Sequence, residues 1–195
     1  MNIISVANNL YRVTDVFPQE IIDFCKTANW NSFDYVLHKK EKEDYFPRKE
    51  IKYYQYDILK KLKQQSFLIS KELEVKLNWK FTDINKTNLS LWYDPPGFTS
   101  LIHRDFDPFK IVGNNFSLPI TMQVYLTDSK NDLGTKFYYD EYKTKIKYEF
   151  PYEINTGYLM VNDWDQWHEM LGPIMPDDTR ISCHFIFSNL VTTKN

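Results

Sequence analysis

A mainly β chain backed by helices is what this sequence predicts, on three observations. From residue 81 onward, short runs rich in Tyr, Phe, Ile and Thr alternate with turn clusters, at 87–93, 98–103, 119–127, 135–140, 144–150, 157–162 and 180–188. Many short strands with such punctuation give a sandwich, a barrel or a jelly roll. Before residue 81, apolar residues instead recur at three- and four-residue steps, the helical period. Aromatic residues make up 17% of the chain, a content that suits a sheet-rich core whose large side chains keep polar handles.

The elements follow in order. Residues 1–16 alternate weakly through Leu10, Tyr11, Val13 and Val16 and predict an opening strand, which Phe17 and Pro18 break. From Pro18 to about Trp30 the pattern is helical: Pro18 suits a first helical turn, and Ile21, Ile22, Phe24, Cys25 and Ala28 form an apolar stripe. The charged run 39–44 reads as a solvated loop, with His38 beside it as a surface histidine. Residues 50–77 carry the longest helical pattern, through Ile51, Tyr54, Ile58, Leu62, Ile69 and Leu73 with a slip near Ser66. A helix of this kind covers one side of a sheet.

Composition bounds the rest. A chain of 195 residues without a compositional break predicts one domain, 1–195, in which residues 1–80 supply a strand and helices and 81–190 the β core. The net charge of −2 gives no face-wide cationic excess and argues against nucleic acid as a main partner. The first residues lack a basic segment followed by an apolar run, and no stretch approaches the roughly 18 apolar residues of a membrane span. A cytoplasmic protein without a signal peptide is expected. Cys25 and Cys183 lie in apolar surroundings and read as buried thiols in a reducing compartment.

Chemistry concentrates in the β region. Residues 89–105 run from a strand through an Asp94–Gly97 turn to a second apolar run that delivers His103 and Asp105. In a strand, residues two apart leave the same face, so an imidazole and a carboxylate would stand side by side. Those are two members of the two-histidine, one-carboxylate set that suits non-haem iron and leaves coordination positions open. Downstream, Gly157 opens an apolar strand that leads through a polar corner to His168. In 180–187, Arg180, Ser182 and His184 share one face of a strand. A buried arginine there needs an anion, and its planar fork matches a carboxylate. Thr121, Gln123 and Tyr125 form a polar stripe in an otherwise apolar strand. His184 reads mainly as a satisfied core histidine, with a role near substrate or in support of a ligand as the lesser reading.

In this order the motifs resemble those of the Fe(II)- and 2-oxoglutarate-dependent dioxygenases, specifically the prolyl 4-hydroxylase-like branch. The resemblance runs from about residue 87 to 188. Tyr93 to Gly97 followed by His103-Arg104-Asp105 is similar to the family's tyrosine, glycine turn and metal motif. Tyr125-Leu126-Thr127-Asp128, Asn155-Thr156-Gly157, His168-Glu169-Met170 and Arg180-Ile181-Ser182 resemble its later motifs. Two departures stand out: Arg180 comes twelve residues after His168, a longer gap than the family pattern, and Leu133-Gly134-Thr135 replaces a Gly-Gly pair. No arginine follows Arg180, unlike the nucleic-acid demethylase branch.

The resemblance implies a double-stranded β-helix, a cupin-like jelly roll with the N-terminal helices packed on one sheet. It implies that His103, Asp105 and His168 bind Fe(II), and that Arg180, helped by Tyr125, pairs with the distal carboxylate of 2-oxoglutarate. It gives Tyr93 a hydrogen bond near the metal-bound end of that co-substrate and Ser182 a minor contact. Phe106, Asp107, Trp164 and Trp167 are the expected substrate or lid positions, the first two in a lid expected at 106–115. O2 is the second co-substrate, and ascorbate an accessory reductant. The implied reaction hydroxylates a C–H bond of a prolyl residue in a peptide or protein, releasing succinate and CO2. Two alternatives stand beside it: the same chemistry on a free amino acid or small metabolite, and a non-catalytic jelly-roll module.

Overall fold

The structure, a computed structural model, describes residues 1–37, 48–51, 57–105, 119–129, 131–163 and 165–187. His38, the charged run at 39–44 and the lid segment 106–115 lie outside the described residues.

Residues 1–16 form a hairpin rather than one strand: β1 (Asn2–Ala7) and β2 (Leu10–Thr14) pair antiparallel across Asn8 and Asn9. Asn9 adopts φ 55°, the left-handed conformation that asparagine tolerates at a tight turn. α1 (Gln19–Thr27) buries Ile21, Ile22 and Cys25 but leaves Phe24 at its margin. Pro18 stands just before the helix in extended conformation instead of inside the first turn. A 3₁₀ turn (Trp30–Ser32) follows, then β3 (Tyr35–Leu37) and β4 (Lys49–Ile51). The expected long helix therefore gives up its first residues to a strand, and α2 covers Asp57–Leu77. Its buried face includes Leu59, Leu62, Ile69 and Leu73, and at the predicted slip the Ser66 and Ser70 hydroxyls donate back to the carbonyls of Lys63 and Ser66.

The remaining strands are β5 (Thr87–Asp94), β6 (Ile120–Tyr125), β7 (Thr135–Tyr138), β8 (Ile146–Phe150), β9 (Thr156–Val161), β10 (Trp167–Met170) and β11 (Arg180–Phe187). They build an eight-stranded sheet in the order β1-β2-β9-β6-β11-β5-β4-β3 and a three-stranded sheet in the order β10-β7-β8. The predicted strand at 98–103 is a correction. Its backbone is held by bonds from Gly97 to Ile174 and between Phe98 and Ile174, and only His103 joins a partner strand, as an isolated bridge to His168.

Strand alternation sorts the large sheet into two chemically different faces. On one, Leu89, Leu91, Met122, Val124, Cys183 and Phe185 pack with the buried residues of α1 and α2 into the main core. On the other, Asp94, Gln123, Tyr125, Arg180, Ser182 and His184 look toward the small sheet. Apolar side chains close part of that space, where Leu10, Tyr158 and Met160 meet Phe137 and Phe150. The rest is polar, and it is where the chemistry-bearing residues gather.

Candidate metal centre

His168 lies on β10 and His103 just ahead of a bend that carries Asp105. The two histidines exchange both backbone bonds, each amide donating to the other's carbonyl at 2.9 Å. That bridge brings residues 65 positions apart into register, so the predicted pairing of His103 and Asp105 along a strand is replaced by a bridge and a bend. The ligand atoms of His103, Asp105 and His168 lie within 4.8 Å of one another. His103 Nε2 and His168 Nε2 are each 3.5 Å from Asp105 Oδ1.

The ring orientations are fixed from behind. His168 Nδ1 lies 3.0 Å from the Gln166 carbonyl and His103 Nδ1 2.7 Å from the Leu101 carbonyl. A carbonyl only accepts, so each Nδ1 carries the ring proton and each Nε2 presents its lone pair. His168 is further held by stacking on Phe137, with ring centroids 4.9 Å apart. With each ring neutral, two lone pairs and a carboxylate oxygen converge. Such a set repels itself unless positive charge, a proton or a metal cation, sits among its members. Two imidazoles and one carboxylate are the donors that suit ferrous iron with positions to spare, and carbonyl partners on the outer ring nitrogens are what a ligating histidine requires.

The electrostatics agree with a cation site. Burial pushes the Asp105 carboxyl up, but the surrounding imidazoles, His168 foremost, outweigh it when they carry positive charge and donate to it, and hold the group well below the usual carboxylate range, as a cation in their place would. Burial and the neighbouring His168 hold His103 below its ordinary value, against the pull of Asp105. Both shifts favour the protonation states that bind metal.

Arg180 is buried, as its place on the inner face requires, and finds its anion within the chain. Its Nη1 donates to Asp94 Oδ2 at 2.9 Å, its Nε to the Leu133 carbonyl at 2.9 Å, and its Nη2 reaches Thr135 Oγ1 at 3.4 Å. Asp94, with no exposed surface, is gripped a second time by Arg48 through Nε at 2.6 Å and Nη2 at 3.0 Å. Two guanidinium groups share one carboxylate, which leaves this corner with a net positive charge. Tyr125 stands beside it, its ring 5.2 Å from the Arg180 guanidinium and its hydroxyl 2.8 Å from Thr135 Oγ1. Ser182 accepts a hydrogen bond from Gln123 at 2.8 Å.

Two expected positions are corrected. Tyr93 pairs with Ile181 and so shares the helical face of the sheet, where its hydroxyl donates to Asn31 at 2.9 Å and its ring contacts Tyr35. The residues on either side of it, Trp92 and Asp94, are the ones that face inward. Trp167 precedes His168 and by alternation lies on the opposite side of β10, where it carries the Arg104 guanidinium at 4.4 Å. Phe106, Asp107 and Trp164 lie outside the described residues. The sequence reading missed Arg48 and Asp94 and placed His184 mainly in the core. His184 Nε2 stands 3.6 Å from Asp105 Oδ2. The strand parity that placed Arg180 inside held the signal for all but Arg48.

No family model and no curated protein matches the chain by sequence. Solved structures do match by shape. A Pseudomonas putida prolyl-4-hydroxylase superposes with a TM-score of 0.63 at 12% identity, covering 92% of this chain and 92% of that one. A Trichoplax adhaerens prolyl hydroxylase, solved with a peptide fragment of hypoxia inducible factor, gives 0.64 at 13% identity over 93% of this chain and 84% of that one. HygX from Streptomyces hygroscopicus, solved with nickel and 2-oxoglutarate, gives 0.60 at 10% identity over 92% and 82%. The chain has their fold, a double-stranded β-helix backed by helices.

Proposed function

We propose that this chain is a non-haem Fe(II)- and 2-oxoglutarate-dependent oxygenase that hydroxylates a C–H bond, with a prolyl residue of a peptide or protein as the favoured substrate. The observation that carries the reading is the convergence of three acceptors, His103 Nε2, His168 Nε2 and Asp105 Oδ1, with both imidazole protons held away from the meeting point. The fold is one that solved 2-oxoglutarate oxygenases share, and one such neighbour was solved with a peptide bound.

In this reading His103, Asp105 and His168 hold Fe(II). The iron, with 2-oxoglutarate and O2, supplies the oxidising chemistry and releases succinate and CO2. The chain's own work is positioning and exclusion of water. The positive corner built by Arg180 and Arg48 around Asp94 has one charge left for the distal carboxylate of the co-substrate, with the Tyr125 hydroxyl beside it. Ser182 steadies Gln123 at the floor of the chamber. Residues 1–195 act as one unit, with the helical side as support.

Anaerobic titration of Fe(II) and 2-oxoglutarate, followed by the charge-transfer band of the chelate, tests this. The wild-type chain should develop the band, and His103→Ala, Asp105→Ala and His168→Ala should each abolish it. Their metal affinity should fall by more than the roughly 100-fold that loss of a ligand's supporting partner costs. No band in the wild type, or an undiminished band in His168→Ala, rejects the site. Succinate release stimulated by a proline-containing peptide, and not by free amino acids, would fix the substrate class.

A further inference from the structure

The inner face of β11 carries a third imidazole that the roles above leave unused. His184 is buried, four residues beyond Arg180 on the same face of the strand, opposite Ser90 on β5 and Gln123 on β6. Its ring lies nearly parallel on Trp92, with centroids 4.6 Å apart and planes at 15°. Trp92 in turn carries the Arg48 guanidinium at 3.7 Å, and Arg48 is fixed by its double grip on Asp94. The imidazole is therefore held in place by a stack, as that of His168 is in part, whereas His103 and His168 are also held by carbonyls.

The oxygens of Asp105 face different partners. Oδ1 is the one 3.5 Å from both His103 and His168, whereas Oδ2 looks at His184 Nε2 from 3.6 Å. That separation is longer than a formed hydrogen bond, and an approach of roughly 0.6 Å would make it one.

We infer that His184 is a positioning residue for Asp105. It donates from Nε2 to Oδ2 and keeps that oxygen turned away from the ion, so that Asp105 binds through Oδ1 alone. The inference rests on the proposal that the triad holds a metal. Its consequence is a matter of coordination count. A carboxylate that closes both oxygens on an ion occupies one position more than a carboxylate bound through one. In a six-coordinate site, three protein ligands bound through one atom each leave three positions, the number that a chelating 2-oxo acid and O2 together need. A chelating aspartate leaves one too few.

Co(II) serves as the probe, because its visible bands report coordination number and its affinity is read without turnover. His184→Phe keeps a ring on Trp92 but removes the donor, and His184→Gln keeps a donor but removes the ring. His184→Leu replaces the Phe variant should that one not fold. The expected result is that wild type and His184→Gln share one Co(II) spectrum, while His184→Phe binds Co(II) with a shifted and weakened spectrum. In the iron form, His184→Phe should raise the KM for O2 about tenfold with a smaller change in the requirement for 2-oxoglutarate. A His184→Phe spectrum identical to wild type overturns the inference. So does the same shift in the Gln variant, which would make the ring and not the donor responsible. Loss of Co(II) binding in both variants also overturns it, because His184 would then be a ligand. If the wild-type chain binds no Co(II), it is the triad itself that fails, and the two failures are distinct.

Discussion

Asp94 has no exposed surface and answers two arginines at once. Removing it strands two buried or half-buried cations, so Asp94→Ala should destabilise the chain by about 3–5 kcal/mol in urea unfolding, the range for breaking a buried ion pair from one side. Arg180→Lys is the gentler probe. It keeps the charge but loses the planar fork, and under the proposed function it should raise the 2-oxoglutarate requirement more than it lowers the maximal rate. The thiols give a pH prediction. Burial pushes Cys25 up from 9.0 to about 12, and burial with neighbouring Cys25 pushes Cys183 up as well. Neither should react with a thiol reagent in the native chain at pH 8, and both should react once it is unfolded. The folded state holds these protons longer than the unfolded chain, so this contribution to stability is full below pH 9 and is lost as pH rises toward about 12. At this scale the sequence was legible wherever alternation alone decides. It placed Arg180 inside and grouped Gln123 with Tyr125 on one face. Tyr93 escaped because a shift of one residue turns a strand side chain to the other face, and a tyrosine is at home on either. Asp94 looked like part of a turn, and its partners lie 46 and 86 positions away.

Strands and helices differ in how plainly they announce themselves. The period of α2 is long enough to read, and its slip at Ser66 is where serine hydroxyls turn back onto the helix. β10 is only four residues long, and its alternation lies next to a polar corner, so no pattern exposed it before the fold paired it with β7. The β1–β2 hairpin hid because two asparagines, with one at positive φ, make a turn that needs neither glycine nor proline. Gly157 was seen as the opening of a strand, and the structure adds its reason. A Cβ there would lie 1.8 Å from the Gln123 carbonyl oxygen, across the β6–β9 pairing. Backbone cannot yield as a side chain can, so Gly157→Ala should cost at least about 3 kcal/mol, the upper end for overpacking, and lower the Tm accordingly. Gly134→Ala should behave alike, since its Cβ would meet the Phe150 carbonyl oxygen at 1.9 Å.

Across the molecule, one sheet separates stability from chemistry. Its helical side holds the apolar core of α1, α2 and the outward strand residues, and its inner side holds the ionisable groups. β11, hydrogen-bonded to β5 and β6 along nearly its whole length, lies within both. Its amides should be among the slowest to exchange with deuterium. No described helix is long and apolar enough to cross a membrane.

The reciprocal amide bonds between His103 and His168 have a kinetic consequence. They hold the two histidine backbones side by side, in register with the carbonyls that orient each ring. Under the proposed function, metal uptake should be limited by encounter and not by a folding step, and deuterium protection at these two amides should be the same in chelator as in saturating metal.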